Sequence, residues 1–155
     1  MRPFSRIHLR SVCLFASAAY LLAAATPPDF SGNWVLDPSR SQNTNGETIQ
    51  LTIQEPPGKM VYDRVLRKRN GKELHTKFTC ASLSTPCDLE ENGHRATVSL
   101  WFDGAALMMA KTGGEKQDAT TERRFELSPD GKTLTVEFTN YSGSGKPQKL
   151  VFNKQ

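Results

Sequence analysis

The stretch DFSGNWVLDPSRS, residues 29–41, decides how the rest of the chain is read. It places a glycine two residues ahead of a tryptophan, Gly32-Asn33-Trp34, just after an alanine-rich apolar run and just before a polar loop. A large aromatic beside a hinge residue, followed by Val35 and Leu36, is the start of a strand that tucks its ring under something. What lies upstream and downstream says what that is.

Upstream, MRPFSRIHLR carries Arg2, Arg6 and Arg10 and no acid, and VCLFASAAYLLAAA runs apolar from Val12 to Ala25. A basic head, a short apolar middle and small residues at positions 23 and 25 describe a secretory signal peptide over residues 1–25. The run is shorter than the ~20 residues of a membrane span. Cleavage after Ala25 would leave residues 26–155 as one domain, secreted or periplasmic, without a membrane anchor. The charge reading changes with it. The whole chain has 20 Lys+Arg against 16 Asp+Glu; without the three leader arginines it has 17 against 16, a net +1. The cluster Arg64, Arg67, Lys68, Arg69 is diluted by Asp63 and Glu73, so a solvated strand end is expected and no nucleic-acid partner. In an oxidising compartment, the closely spaced pair Cys80 and Cys87 reads as a disulfide pinning the loop CASLSTPC.

Downstream, nearly every segment alternates with period two, the mark of a strand with one buried face. Ile49, Leu51 and Ile53 share a face in TIQLTIQ; Val98, Leu100 and Phe102 do so in RATVSLWF; Leu134, Val136 and Phe138 do so in KTLTVEFT. Asn70-Gly71, Asp103-Gly104 and Asp130-Gly131 mark tight hairpins, since such turns need positive φ. Nine strands are read, near 32–36, 47–54, 59–68, 72–80, 95–102, 105–111, 119–127, 132–140 and 147–153. Residues 81–94 are read as a loose connection, and the tight turns as lying together at one end. The fold class is all-β, an antiparallel up-and-down meander. Closure into a small barrel of eight or nine strands removes its exposed edges.

Phe30-Ser31-Gly32-Asn33-Trp34 ahead of such a meander resembles the Gly-x-Trp signature of lipocalins and the wider calycin group. With RRFELSPDGKTLTVEFT near the end, the chain resembles small secreted bacterial proteins described as lipocalin-like. The resemblance implies structural roles for Gly32 and Trp34 at one end of a barrel, with an arginine from a late strand over the indole. Arg123, on a face with Phe125 and Leu127, is the expected one. A Thr-Asp-Tyr-like turn and a C-terminal helix, both part of the lipocalin pattern, are missing from the sequence.

The sequence holds no Gly-x-Ser-x-Gly elbow, no His-Glu-x-x-His and no phosphate loop, and its cysteine spacing matches no zinc motif. The expectation is a binding protein and not an enzyme, with no metal, cofactor or catalytic residue; His75 and His94 read as solvated. A ligand site would be the barrel interior, lined by Leu51, Phe78, Leu100, Phe102, Met109 and Phe138, with Arg123 as a polar contact. Two partners stay open: a small apolar molecule inside, or a protein bound by the outer surface, as in a secreted protease inhibitor, with Trp101 facing outward.

Overall fold

The computed structural model describes residues 26–83, 85–91, 93–114, 120–141 and 146–155. The leader expected over residues 1–25 lies outside them. Ten strands follow in chain order: β1 (Gly32–Leu36), β2 (Thr48–Gln54), β3 (Met60–Arg67), β4 (Glu73–Cys80), β5 (Cys87–Glu91), β6 (His94–Asp103), β7 (Ala106–Gly113), β8 (Thr120–Leu127), β9 (Thr133–Asn140) and β10 (Gln148–Lys154). All pairings are antiparallel, in the order β4-β3-β2-β1-β10-β9-β8-β7-β6-β5. Each strand pairs with its sequence neighbour except at two places: β1 closes onto β10, while β4 and β5 touch without ladder pairing. The result is a nearly closed barrel whose seam lies between β4 and β5. No helix among the described residues is long and apolar enough to cross a membrane.

The strand count is ten, and the additional strand is β5, inside the segment read as a loose connection. Its sequence, CDLEE, buries only Leu89 fully, so no apolar alternation announces it. One more strand reverses the direction of everything after it. The tight turns are therefore split: Gly71 lies at the end that holds residues 37–47, whereas Gly104 and Gly131 lie at the opposite end, and all three have positive φ. The first of these ends is called the mouth below, the second the closed end.

Alternation is met almost residue by residue. Ile49, Leu51 and Ile53 are buried in β2, Val98 and Leu100 in β6, Leu134 and Val136 in β9, each between more exposed neighbours. The core they form with Trp34, Tyr62, Phe78, Phe125 and Phe152 is continuous round the barrel.

The closed end is sealed by the opening stretch. Trp34 and Phe30 are fully buried, and the indole Nε1 donates to the Phe30 carbonyl at 3.1 Å. The segment is fastened to the end of β2 by a reciprocal pair: Phe30 N donates to Glu55 Oε1 at 3.3 Å and Glu55 N to Ser31 Oγ at 3.1 Å. The Phe30 ring lies 6.3 Å from Phe102. The cation over Trp34 is Lys154, not Arg123: Lys154 Nζ is 5.2 Å from the ring centroid. Register explains the correction. Lys154 stands opposite Trp34 in the β1–β10 ladder, while Arg123 pairs with Phe138 and Met109, away from Trp34.

Candidate functional site

The interior is packed at the closed end and open toward the mouth. A cavity of about 140 Å³ lies beneath residues 43–47, walled by Ile49, Leu51, Phe125, Val136, Leu150 and Phe152 and floored by Tyr62. Its polar lining comes from Asn43, Thr44, Glu47, Arg64, Arg123 and Gln148.

The roof is built by the sequence that follows Trp34. β1 ends at Leu36, and Asp37 then accepts from Ser39 N at 3.0 Å and Arg40 Nε at 2.8 Å. The Ser39 hydroxyl, which also donates to Asp37, together with Arg40, Asn153 and the Ser39 amide, holds the Asp37 carboxyl far below the ordinary carboxylate range. Val151 N donates to Ser41 Oγ at 2.8 Å and Gln42 N to the Lys149 carbonyl at 2.8 Å. The turn is thereby laced to β10, and Asn43 and Thr44 are carried over the mouth.

Arg123 comes up from β8 into the middle of the barrel. It is only partly exposed, its guanidinium carbon is 5.0 Å from the Phe138 ring centroid, and its Nη1 is 3.9 Å from Met109 Sδ. Burial pulls its pKa below the ordinary guanidinium value; Tyr62 and Glu91 oppose that pull, and the charge of Arg64 adds to it. Arg64, from β3, faces the same cavity.

A second, much smaller void of about 10 Å³ lies at the seam, lined in part by Phe78, Leu89, Met109 and Arg123. The seam is clasped at both ends. Cys80 and Cys87 form a disulfide with Cα atoms 5.2 Å apart, and Thr76 Oγ1 donates to Glu91 Oε1 at 2.5 Å. Lys111 Nζ reaches Glu91 Oε2 at 2.5 Å. Burial works against the charge on Glu91, but Lys111 and Thr76 outweigh it and leave its pKa below the ordinary value.

No protein-family model and no curated protein matches the sequence. Solved structures do resemble it. Secretory abundant heat soluble protein 4 from Ramazzottius varieornatus superposes with a TM-score of 0.62 at 14% identity, over 86% of this chain and 99% of that one. The fatty-acid-binding protein from Manduca sexta gives 0.56 at 12% identity, over 81% and 99%. Wild-type fluorescent protein UnaG gives 0.55 at 16%, over 81% and 97%. The fold is calycin-like. Identities this low speak for the fold alone.

Within this calycin-like barrel the residues expected to line a ligand site separate into three groups. Leu51, Arg123 and Phe138 line the main cavity. Phe78 and Met109 line the seam void with Arg123. Leu100 and Phe102 face inward but belong to the packed half of the interior, Phe102 beside Phe30. Sequence reasoning missed Tyr62, Arg64 and the residues of the roof. In MVYDRVLR both faces of β3 mix apolar and charged residues, so alternation does not say which one points inward. His75 and His94 are exposed. Among the described residues no three His, Cys, Asp or Glu side chains are grouped to hold a metal. On the outer face Trp101 is 38% exposed, whereas its ladder partner Met108 is covered by Arg124, whose Nη1 is 3.7 Å from the sulfur.

Proposed function

We propose that this barrel binds a small apolar molecule in the cavity beneath residues 43–47. The observation that carries the reading is the cavity itself: about 140 Å³ left open in an interior that is otherwise close-packed, with an apolar wall. Protein cores rarely leave voids much larger than a water molecule, and an apolar hole of roughly 150 Å³ is enough to take up benzene. A solved barrel of the same fold is named as fatty-acid-binding, which supports a binding role. The chemistry is that of a site that holds and releases its guest: an enclosing apolar wall and a few fixed polar groups. The protein acts outside the cytoplasm after loss of residues 1–25; the Cys80–Cys87 bond is compatible with such a compartment.

The test is a thermal-shift and tryptophan-fluorescence screen with compact aromatic and short acyl compounds. Binding should raise the melting temperature and be competitive among members of the set. An unresponsive protein would favour the other reading, a barrel that binds a protein through its outer surface, for which exposed Trp101 is the specific feature.

A further inference from the structure

We propose that the ligand of this cavity carries an oxyanion, a carboxylate or a phosphate, on a compact apolar body, and that Arg64 and Arg123 hold the oxyanion. The proposal rests on the small-molecule reading above and names the head group and size of that molecule.

Three observations lead to it. The first is that two guanidiniums, from β3 and β8, line one cavity and act on each other as like charges. The second is that neither has a carboxylate partner among the described residues. Other arginines of the chain do: Arg67 lies 2.5 Å from Glu73, Arg40 lies 2.8 Å from Asp37, and Arg124 lies 2.8 Å from both Asp103 and Glu126. Arg123 contacts an aromatic face and a thioether sulfur, and the carboxylate that acts on its charge, Glu91, makes its ion pair with Lys111 instead. The third is that Glu91, the acid that lines the seam void with both arginines, is already used. Glu91 accepts from Lys111 and Thr76, both at 2.5 Å.

The charge balance of the lining gives the same answer. Arg64 and Arg123 bring two positive charges and Glu47 one negative, an excess of one. A partly desolvated guanidinium without an acid is costly, and its planar fork of N–H donors fits the two oxygens of a carboxylate or phosphate. An oxyanion between the two arginines would relieve their repulsion and satisfy their donors together. The volume limits the rest of the molecule: about 140 Å³ suits one aromatic ring or a short acyl chain and excludes a long one from full enclosure.

The experiment is isothermal titration at neutral pH and low salt with phenylacetate, its neutral amide phenylacetamide, and phenyl phosphate. Phenylacetate should bind about tenfold or more tighter than the amide, because charge-assisted hydrogen bonds are lost in the amide. Arg123→Met and Arg64→Met should each bring acid and amide to within about twofold, the acid losing the more. Arg64→Lys should retain part of the discrimination. Arg64 is partly exposed, so its variant reports even if Arg123→Met does not fold. Tighter binding of phenyl phosphate than of phenylacetate would assign the oxyanion to phosphate. Equal affinity for phenylacetate and phenylacetamide overturns the oxyanion and leaves the apolar cavity standing. No binding by any of the three probes overturns both.

Discussion

Lys154 sits opposite Trp34 in the β1–β10 ladder, and its Nζ lies 5.2 Å from the centroid of the indole ring. The same side chain passes over Gly32: a Cβ built there would meet Lys154 Cε at 2.6 Å. The glycine two residues before the tryptophan is thus explained by the path of a lysine from the last strand. The cation that covers the ring reaches it across the place where any other residue would project. The closed end of the barrel is a stack of Gly32, Lys154 and Trp34.

Gly32→Ala should therefore loosen that end. The φ of 153° is one that side chains rarely adopt, and Lys154 must move aside. A loss of about 1 kcal/mol is expected, since the lysine tip can give way but the backbone cannot relax freely. Urea unfolding followed by tryptophan fluorescence measures it, and the emission of Trp34 should shift as the cation leaves. An unchanged midpoint together with an unchanged spectrum would refute the role given to Gly32.

Reduction of Cys80–Cys87, or Cys87→Ser, should cost about 2 kcal/mol, the chain-entropy value for so short a loop. Denaturation curves with and without reductant give the difference. Ellman titration under denaturing conditions should find no free thiol in these two residues before reduction.

Acid should weaken the seam. Glu91 has its pKa held below the ordinary 4.5, so its contribution is present above that value and is lost as the pH falls through the lowered one. Glu55 carries the opposite sign: burial raises its pKa, so ionising it costs the fold some stability as the pH rises. Glu91→Gln should cost about 1–3 kcal/mol near pH 7, because it leaves Lys111 without its carboxylate in a partly buried site. The gap between wild type and variant should hold above the ordinary 4.5 and narrow as the pH falls below it and the wild-type carboxylate takes up a proton. A constant gap over that range would show that Glu91 does not act through its charge.

Val136→Phe should fill the cavity from its wall. Val136 is 4% exposed and lines the open space, so the added ring has room that the packed closed end does not offer. Stability should change by less than about 1.5 kcal/mol, as for a substitution that fills a void without overpacking. Ligand-induced thermal shifts should vanish. The control is Leu100→Ala in the packed half, expected to cost about 2–5 kcal/mol while sparing binding measured below its melting temperature.

Most of the barrel was legible because its strands bury one face only. Leu51 and Leu134 announce their direction by their polar neighbours, and the turn glycines announce where the chain reverses. β5 was not legible: an acidic strand of five residues at a seam has one fully buried side chain and no partner ladder on one side. That single omission placed the tight turns together and hid which end is the mouth. The candidate site was half legible. Leu51, Phe138 and Arg123 could be read from clean alternation, but Arg64 could not, because a charge facing inward looks in sequence like a charge facing out. Nor could alternation tell packed inward residues such as Leu100 from cavity-lining ones such as Leu51. That difference depends on the level in the barrel, not on the face. The expectation of Arg123 over Trp34 failed for the same reason: the face was correct and the height was not.

β1 is laddered to β10, and the amide of Gln155 donates to the Asn33 carbonyl at 2.9 Å, so the first and last strands are neighbours in the middle of the sheet. Among the described residues the sheet is interrupted between β4 and β5, midway along the chain. In topological terms the strands form a ring that the sheet leaves unjoined at this seam. A short linker from β10 back to β1, with new ends opened between β4 and β5, would rotate the strand order without removing a ladder pair. Such a circular permutant would begin at one edge strand and end at the other, its termini stapled by Cys80 and Cys87, with the cavity unaware of where translation started.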